Sequence, residues 1–173
     1  MKTLTAFILF LVALAVPTGA ASEESKPGAG ARPSPGFERM RSLVGDWKGK
    51  TAGGQDVRAS YSLISGGSAL MEKLEPASES AMITIYHPDG ARLMMTHYCS
   101  AGNQPRMRAD AASADGKSLT FQFVDGTNLA ASDEGHMVKL VVSFEDSDHY
   151  AQEWTWKGKE GTNAEVFRYE RAK

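Results

Sequence analysis

From residue 47 onward the apolar residues fall at every second position, in short runs separated by turn chemistry. Such alternation marks strands with one buried face. Strands are predicted at about Trp47–Thr51, Val57–Ile64, Ala69–Glu75, Met82–His87, Arg92–Ser100, Arg106–Ala112, Ser118–Asp125, His136–Glu145, His149–Lys157 and Glu165–Arg171. The breaks between them read "GG" at Gly53, "SGG" at Ser65, "PDG" at Pro88, "GNQP" at Gly102, "ADG" at Ala114, "DSD" at Asp146 and "EGTN" at Glu160, residues that tolerate or fix tight turns. One segment departs from period two. After Ser34-Pro35, the residues Phe37, Met40, Leu43 and Val44 recur at helical spacing, and Gly45 stands where a helix C-cap belongs. The expected fold is all-β: a short N-terminal helix, then about ten antiparallel strands in an up-and-down meander. Closing that meander into a barrel removes its exposed edges.

Several faces follow from the alternation. Leu119, Phe121 and Phe123 share one side of their strand, and Val138, Leu140, Val142 and Phe144 share another with His136. Tyr150, Trp154 and Trp156 oppose Ala151, Glu153 and Thr155, while Leu93, Met95, His97 and Cys99 line one face of the fifth strand. If the barrel is wider than its side chains can fill, these faces enclose a cavity.

The N-terminus reads differently. Lys2 precedes the apolar run Leu4 to Val16, followed by Pro17 and small residues, the pattern of a secretory signal peptide cleaved near Ala20 or Ala21. The apolar run is shorter than the roughly 20 residues a spanning helix needs. Residues 1–21 are thus expected to be a signal and 22–36, rich in Ser, Gly and Pro, a flexible linker. Residues 37–173 are expected to form one barrel domain. No cysteine follows the cleavage region, so the mature chain is expected to be periplasmic or secreted, with no membrane insertion. The 19 Lys and Arg against 21 Asp and Glu give a mild acidic balance with no basic run, which argues against nucleic acid as a partner. The single cysteine, Cys99, has no partner for an intramolecular disulfide.

The stretch "THYCSAGNQPRM" (Thr96 to Met107) concentrates candidate chemistry. His97 and Cys99, two apart on a strand, point the same way and could both ligate a soft or borderline metal such as zinc or copper if a further histidine, His136 or His87, joined them. Equally, His97 could be a hydrogen-bonded residue of an inner face, or contact a ligand. Asn103, Gln104 and Arg106 would sit at a barrel rim, where they could meet an acidic or carbonyl group. Arg106 and Arg108 share a face, inward as an unusual lining or outward as a solvated one. In "DSDHY", Asp148 beside His149 could orient an imidazole, and turn chemistry explains it as well.

The opening helix followed by "LVGDWKGK" (Leu43 to Lys50) resembles the Gly-x-Trp opening of the calycin superfamily, in which the tryptophan plugs the closed end of a lipocalin-like barrel. The strings "MITIYHPDGARLMMTHYCSAGNQPRM", "FQFVDGTNLAASDEGHM" and "DSDHYAQEWTW" resemble a family of exported, lipocalin-like bacterial proteins of unknown function, from about Phe37 to Arg171. A distant likeness to nitrobindin implies haem held by a histidine near the C-terminus, but the last histidine here is His149 and the final strand has none.

No nucleophile, base and orienter occur together, and no paired metal motif is present. The expected function is therefore non-enzymatic binding of a small, apolar or amphipathic molecule, with Tyr86, His97, Cys99, Asn103, Arg106, His136 and Trp154 as candidate ligand contacts and no cofactor required. The alternative is a metal-dependent or haem-binding barrel protein or enzyme using His97, Cys99 and a further histidine, with His97, Cys99 and His136 as candidate metal ligands.

Overall fold

The computed structural model describes residues 34–109, 113, 116–131 and 134–173. The expected signal peptide and most of the linker lie outside these residues. The linker's last positions belong to the domain: Ser34 caps helix α1 (Pro35–Arg41), its Oγ accepting from the Phe37 amide at 3.4 Å, and Pro35 opens the first turn, where no amide is needed.

Ten strands follow: β1 (Gly45–Thr51), β2 (Asp56–Ile64), β3 (Ala69–Pro76), β4 (Met82–Asp89), β5 (Arg92–Tyr98), β6 (Gln104–Ala109), β7 (Ser118–Thr127), β8 (His136–Phe144), β9 (His149–Gly158) and β10 (Gly161–Arg171). Each pairs antiparallel with its neighbours in sequence, and β1 pairs β10, so the meander closes as expected. At that seam the backbones nearly touch: a Cβ on Gly49 would lie 2.3 Å from the Arg168 carbonyl oxygen, which makes glycine a steric requirement there.

α1 covers one end of the barrel. Its Phe37 and Met40 are buried, and Gly36 packs over Leu93 and Leu119 at the starts of β5 and β7. The helix stops at Arg41, short of Gly45, and Val44 is exposed while Leu43 turns inward. Trp47 fills the same end, its indole N–H donating to the Leu43 carbonyl at 2.7 Å. The Arg171 guanidinium stacks over that indole at 4.2 Å and donates to the Val44 and Ser42 carbonyls, tying the last strand to the helix–strand connection. Burying a side chain such as Trp47 contributes on the order of 3 kcal/mol. This end is closed. The other is ringed by the β1–β2, β3–β4, β5–β6, β7–β8 and β9–β10 connections and forms the mouth.

Two irregularities shift faces. The β6–β7 register slips between Arg106 and Met107, and the β8–β9 register slips between Met137 and Lys139. The second corrects the expected face of β8. The extra residue breaks the phase, so Met137 comes opposite Trp156, and His136 no longer shares the face of Leu140 and Val142.

Candidate functional site

The register brings four polar residues into one inward row. Tyr61 of β2 lies opposite Glu72 of β3, Glu72 opposite Thr84 of β4, and Thr84 opposite His97 of β5. All four are buried in an otherwise apolar interior, with Glu72 and Thr84 fully so. Burying a carboxyl group costs several kcal/mol unless its oxygens are paired. Here they are. Glu72 Oε2 accepts from the Tyr86 hydroxyl at 2.6 Å, and Oε1 accepts from the Tyr61 hydroxyl at 2.9 Å and the Gln152 amide at 2.7 Å.

A second tier points the same way. Tyr150 donates to the Tyr61 oxygen, and Tyr169 and the Trp154 indole donate to the Gln152 carbonyl. Hydrogens on three strands therefore converge on one carboxylate. Burial pushes the Glu72 carboxyl above the usual range, opposed by the bonds from Tyr86, Gln152 and Tyr61. Burial, and then the Glu72 charge, hold the Tyr61 phenol well above its ordinary value; Tyr86 is held in the same way, so both remain donors.

The opposite end of the row is incomplete. His97 Nδ1 lies 2.9 Å from the Thr84 hydroxyl, and its ring packs on Trp154 with centroids 4.6 Å apart. Its Nε2 is buried and has no hydrogen-bond partner. Burial alone lowers the imidazole to about 4, so the ring is neutral at ordinary pH. His97 lines a crevice of about 60 Å3 at the mouth, walled by Leu74, Met82, Met137, Phe167 and the rings of Trp154 and Trp156. Glu79, Asn163 and Glu165 complete its rim.

Trp156 separates this crevice from an open groove of about 630 Å3 formed by Gly135 and the β9–β10 turn, and lines both. The indole sits directly on Gly135, where a Cβ would come within 2.2 Å of the ring, and against Gly158, where one would lie 3.0 Å from Nε1.

Among the described residues, the space found beside the inward row is a small crevice and not the wide internal cavity expected from strand number. The interior is filled by aliphatic and aromatic side chains around the polar row, and the crevice falls well below the roughly 300 Å3 of an ordinary ligand pocket.

The candidate residues separate accordingly. His97 and Trp154 meet at the crevice floor, whereas Tyr86 is outside the crevice lining and serves the core as a donor to Glu72. Cys99 is half-buried against the core, and its amide donates to the Asn103 carbonyl across the β5–β6 turn. Asn103 is buried but outside the crevice lining; its amide donates to the Gly135 carbonyl at 2.8 Å and ties two mouth loops together. Gln104 joins Thr127 and Asn128 in the same loop network. Arg106 points outward and is held by both oxygens of Asp125, which corrects its placement as a rim contact. His136 stacks on Phe123 at 4.6 Å, with Nδ1 2.7 Å from the Glu134 carbonyl, away from His97. His149 pairs with Asp146, not Asp148, and is exposed; that pair raises the imidazole. Among the described residues no group of three or more His, Cys, Asp or Glu side chains is arranged to hold a metal ion, so His97, Cys99 and His136 do not form one site.

Several participants are not singled out by the sequence, among them Tyr61, Glu72, Thr84, Gln152, Met137, Glu79 and Glu165. For Glu72 the signal was present, because the alternation of Leu70 and Leu74 puts an acid on the apolar phase. Glu165 was taken as the start of its strand, whereas β10 begins at Gly161 and places Glu165 opposite Trp154 on the inward face. Met137 reaches the crevice only through the bulge, which alternation cannot show.

No protein-family model matches the chain, and no curated protein matches it. Among solved structures, a protein of unknown function of the DUF3598 family from Nostoc punctiforme is similar in fold, with a TM-score of 0.52 and 10% sequence identity over 77% of this chain. The chain spans about half of that protein's length, 49%. The likeness concerns the barrel alone.

Proposed function

We propose that this chain is an exported, non-catalytic binding protein whose barrel mouth takes one end of a small amphipathic molecule in the crevice floored by His97 and Trp154. The observation that carries the reading is the buried Nε2 of His97, which has no partner although the rest of the polar row is paired. A buried polar atom without a partner beside an opening calls for a water or a ligand. The crevice volume limits the inserted portion to a few heavy atoms, and the remainder would lie past Trp156 in the open groove.

Among the described residues the one polar partner of the His97 ring is the Thr84 hydroxyl, which is fully buried and outside the crevice lining, so it does not face a molecule held there. This favours binding over covalent chemistry. Native mass spectrometry of protein purified from its own compartment tests the reading, with metal analysis alongside. A co-purifying small molecule, lost on His97→Phe while the fold is kept, is the expected result. Stoichiometric zinc or copper lost on His97→Ala would overturn it.

A further inference from the structure

We infer that the molecule received at the mouth presents an organic ammonium group, held between the carboxylates of Glu79 and Glu165 and donating toward the Nε2 of His97. This rests on the crevice being a binding site and specifies what it binds. Three independent features favour a cation.

The first is the lining itself. Apart from hydrocarbon it offers only an imidazole nitrogen, an asparagine side chain, two thioethers, two indole faces and two carboxylates, and no Lys or Arg. Indole faces attract cations when these are partly desolvated.

The second is the state of the acids. Elsewhere on the barrel wall carboxylates are paired, as in Glu170 with Lys48, Asp56 with Lys50 and Asp125 with Arg106. Glu79 and Glu165 have no cationic partner among the described residues; Glu79 accepts only from the Ser100 hydroxyl, at 2.9 Å. They lie close enough to act on each other: burial first, and then the Glu79 charge, raise the Glu165 carboxyl. Two like charges facing each other over an aromatic crevice are unfavourable until a cation joins them.

The third is the direction of the hydrogens. We assign the ring proton of His97 to Nδ1, where it donates to the Thr84 oxygen 2.9 Å away. That assignment leaves Nε2 as a bare lone pair, which an N–H satisfies and a carboxylate would oppose.

The test uses the mature chain and three probes of one size: n-butylammonium, 1-butanol and butyrate, followed through the Trp156 indole and the Met82 and Met137 methyl resonances. n-Butylammonium should shift these signals saturably and butyrate should not, with 1-butanol weaker by about tenfold, the scale of a rim charge pair with a cation–π contact. In the double variant Glu79→Gln, Glu165→Gln the preference for n-butylammonium over 1-butanol should collapse to about one. Equal binding of n-butylammonium and 1-butanol would overturn the ammonium assignment and leave the binding reading standing. Binding of butyrate, or of none of the three, would overturn the assignment, and co-purification then decides the binding reading separately.

Discussion

Glu72 and His97 occupy the same inward row, two strands apart, and differ in one respect that separates architecture from site. Every donor around Glu72 aims at its carboxyl oxygens, and the second tier repeats the direction. His97 has one ring nitrogen engaged and the other bare beside an opening. A complete buried network fixes one arrangement of the core; an incomplete one at a mouth leaves an interaction for something else to make. Deep polarity in this barrel is therefore structural, and polarity at the rim is available.

The largest effect should come from breaking the complete side. Glu72→Ala strands the Tyr61, Tyr86 and Gln152 donors and should cost about 3–5 kcal/mol in urea unfolding, as removing one partner of a buried charged network does. A loss under about 1 kcal/mol would mean that the network is not holding the core. Glu72→Gln should cost less and change the pH profile. The folded state keeps the Glu72 proton to higher pH than the unfolded chain, so the stability it contributes is present in acid and lost as pH rises through the raised value. Glu72→Gln should remove that component.

His97 works in the opposite sense. Its folded value of about 4 lies below the unfolded 6.5, so its contribution is full above pH 6.5 and disappears as pH falls toward 4. The difference in unfolding free energy between the protein and His97→Gln should change by about 3 kcal/mol across that window. A flat difference would mean that the ring is solvated.

Gly135→Ala should cost about 1–2 kcal/mol, because the new methyl must displace the Trp156 ring. It should also abolish the n-butylammonium shifts, since Trp156 is the wall between crevice and groove. Retained shifts would remove Trp156 from the site. Arg106→Ala should matter least. Its pair with Asp125 is exposed and screened by solvent, so its loss should leave the urea midpoint nearly unchanged and probe binding untouched.

The strand count, the helix, the closure and most inward faces were legible because alternation reports burial directly, and turn residues mark the ends. His97 and Trp154 were found on the same signal. The site itself was not legible. Its partners are joined by register between β2, β3, β4 and β5, which a linear pattern does not carry, and Met137 enters by a slip of one residue. Glu72 could have been noticed as an acid on an apolar phase, but nothing in "ALMEKLEP" tells that two tyrosines and a glutamine from other strands would satisfy it. The interior volume is illegible for a related reason: ten strands set the barrel's girth, whereas Tyr86, Tyr150, Tyr169 and Trp154 decide how much of it remains empty.

The most direct test is the tautomer of His97, read by 15N NMR of the imidazole ring at neutral pH before and after adding n-butylammonium. We expect the proton on Nδ1, an unprotonated Nε2, and a shift of the Nε2 resonance on titration. A ring protonated on Nε2, or an Nε2 signal indifferent to the probe, would show that His97 offers no acceptor to a ligand at the mouth.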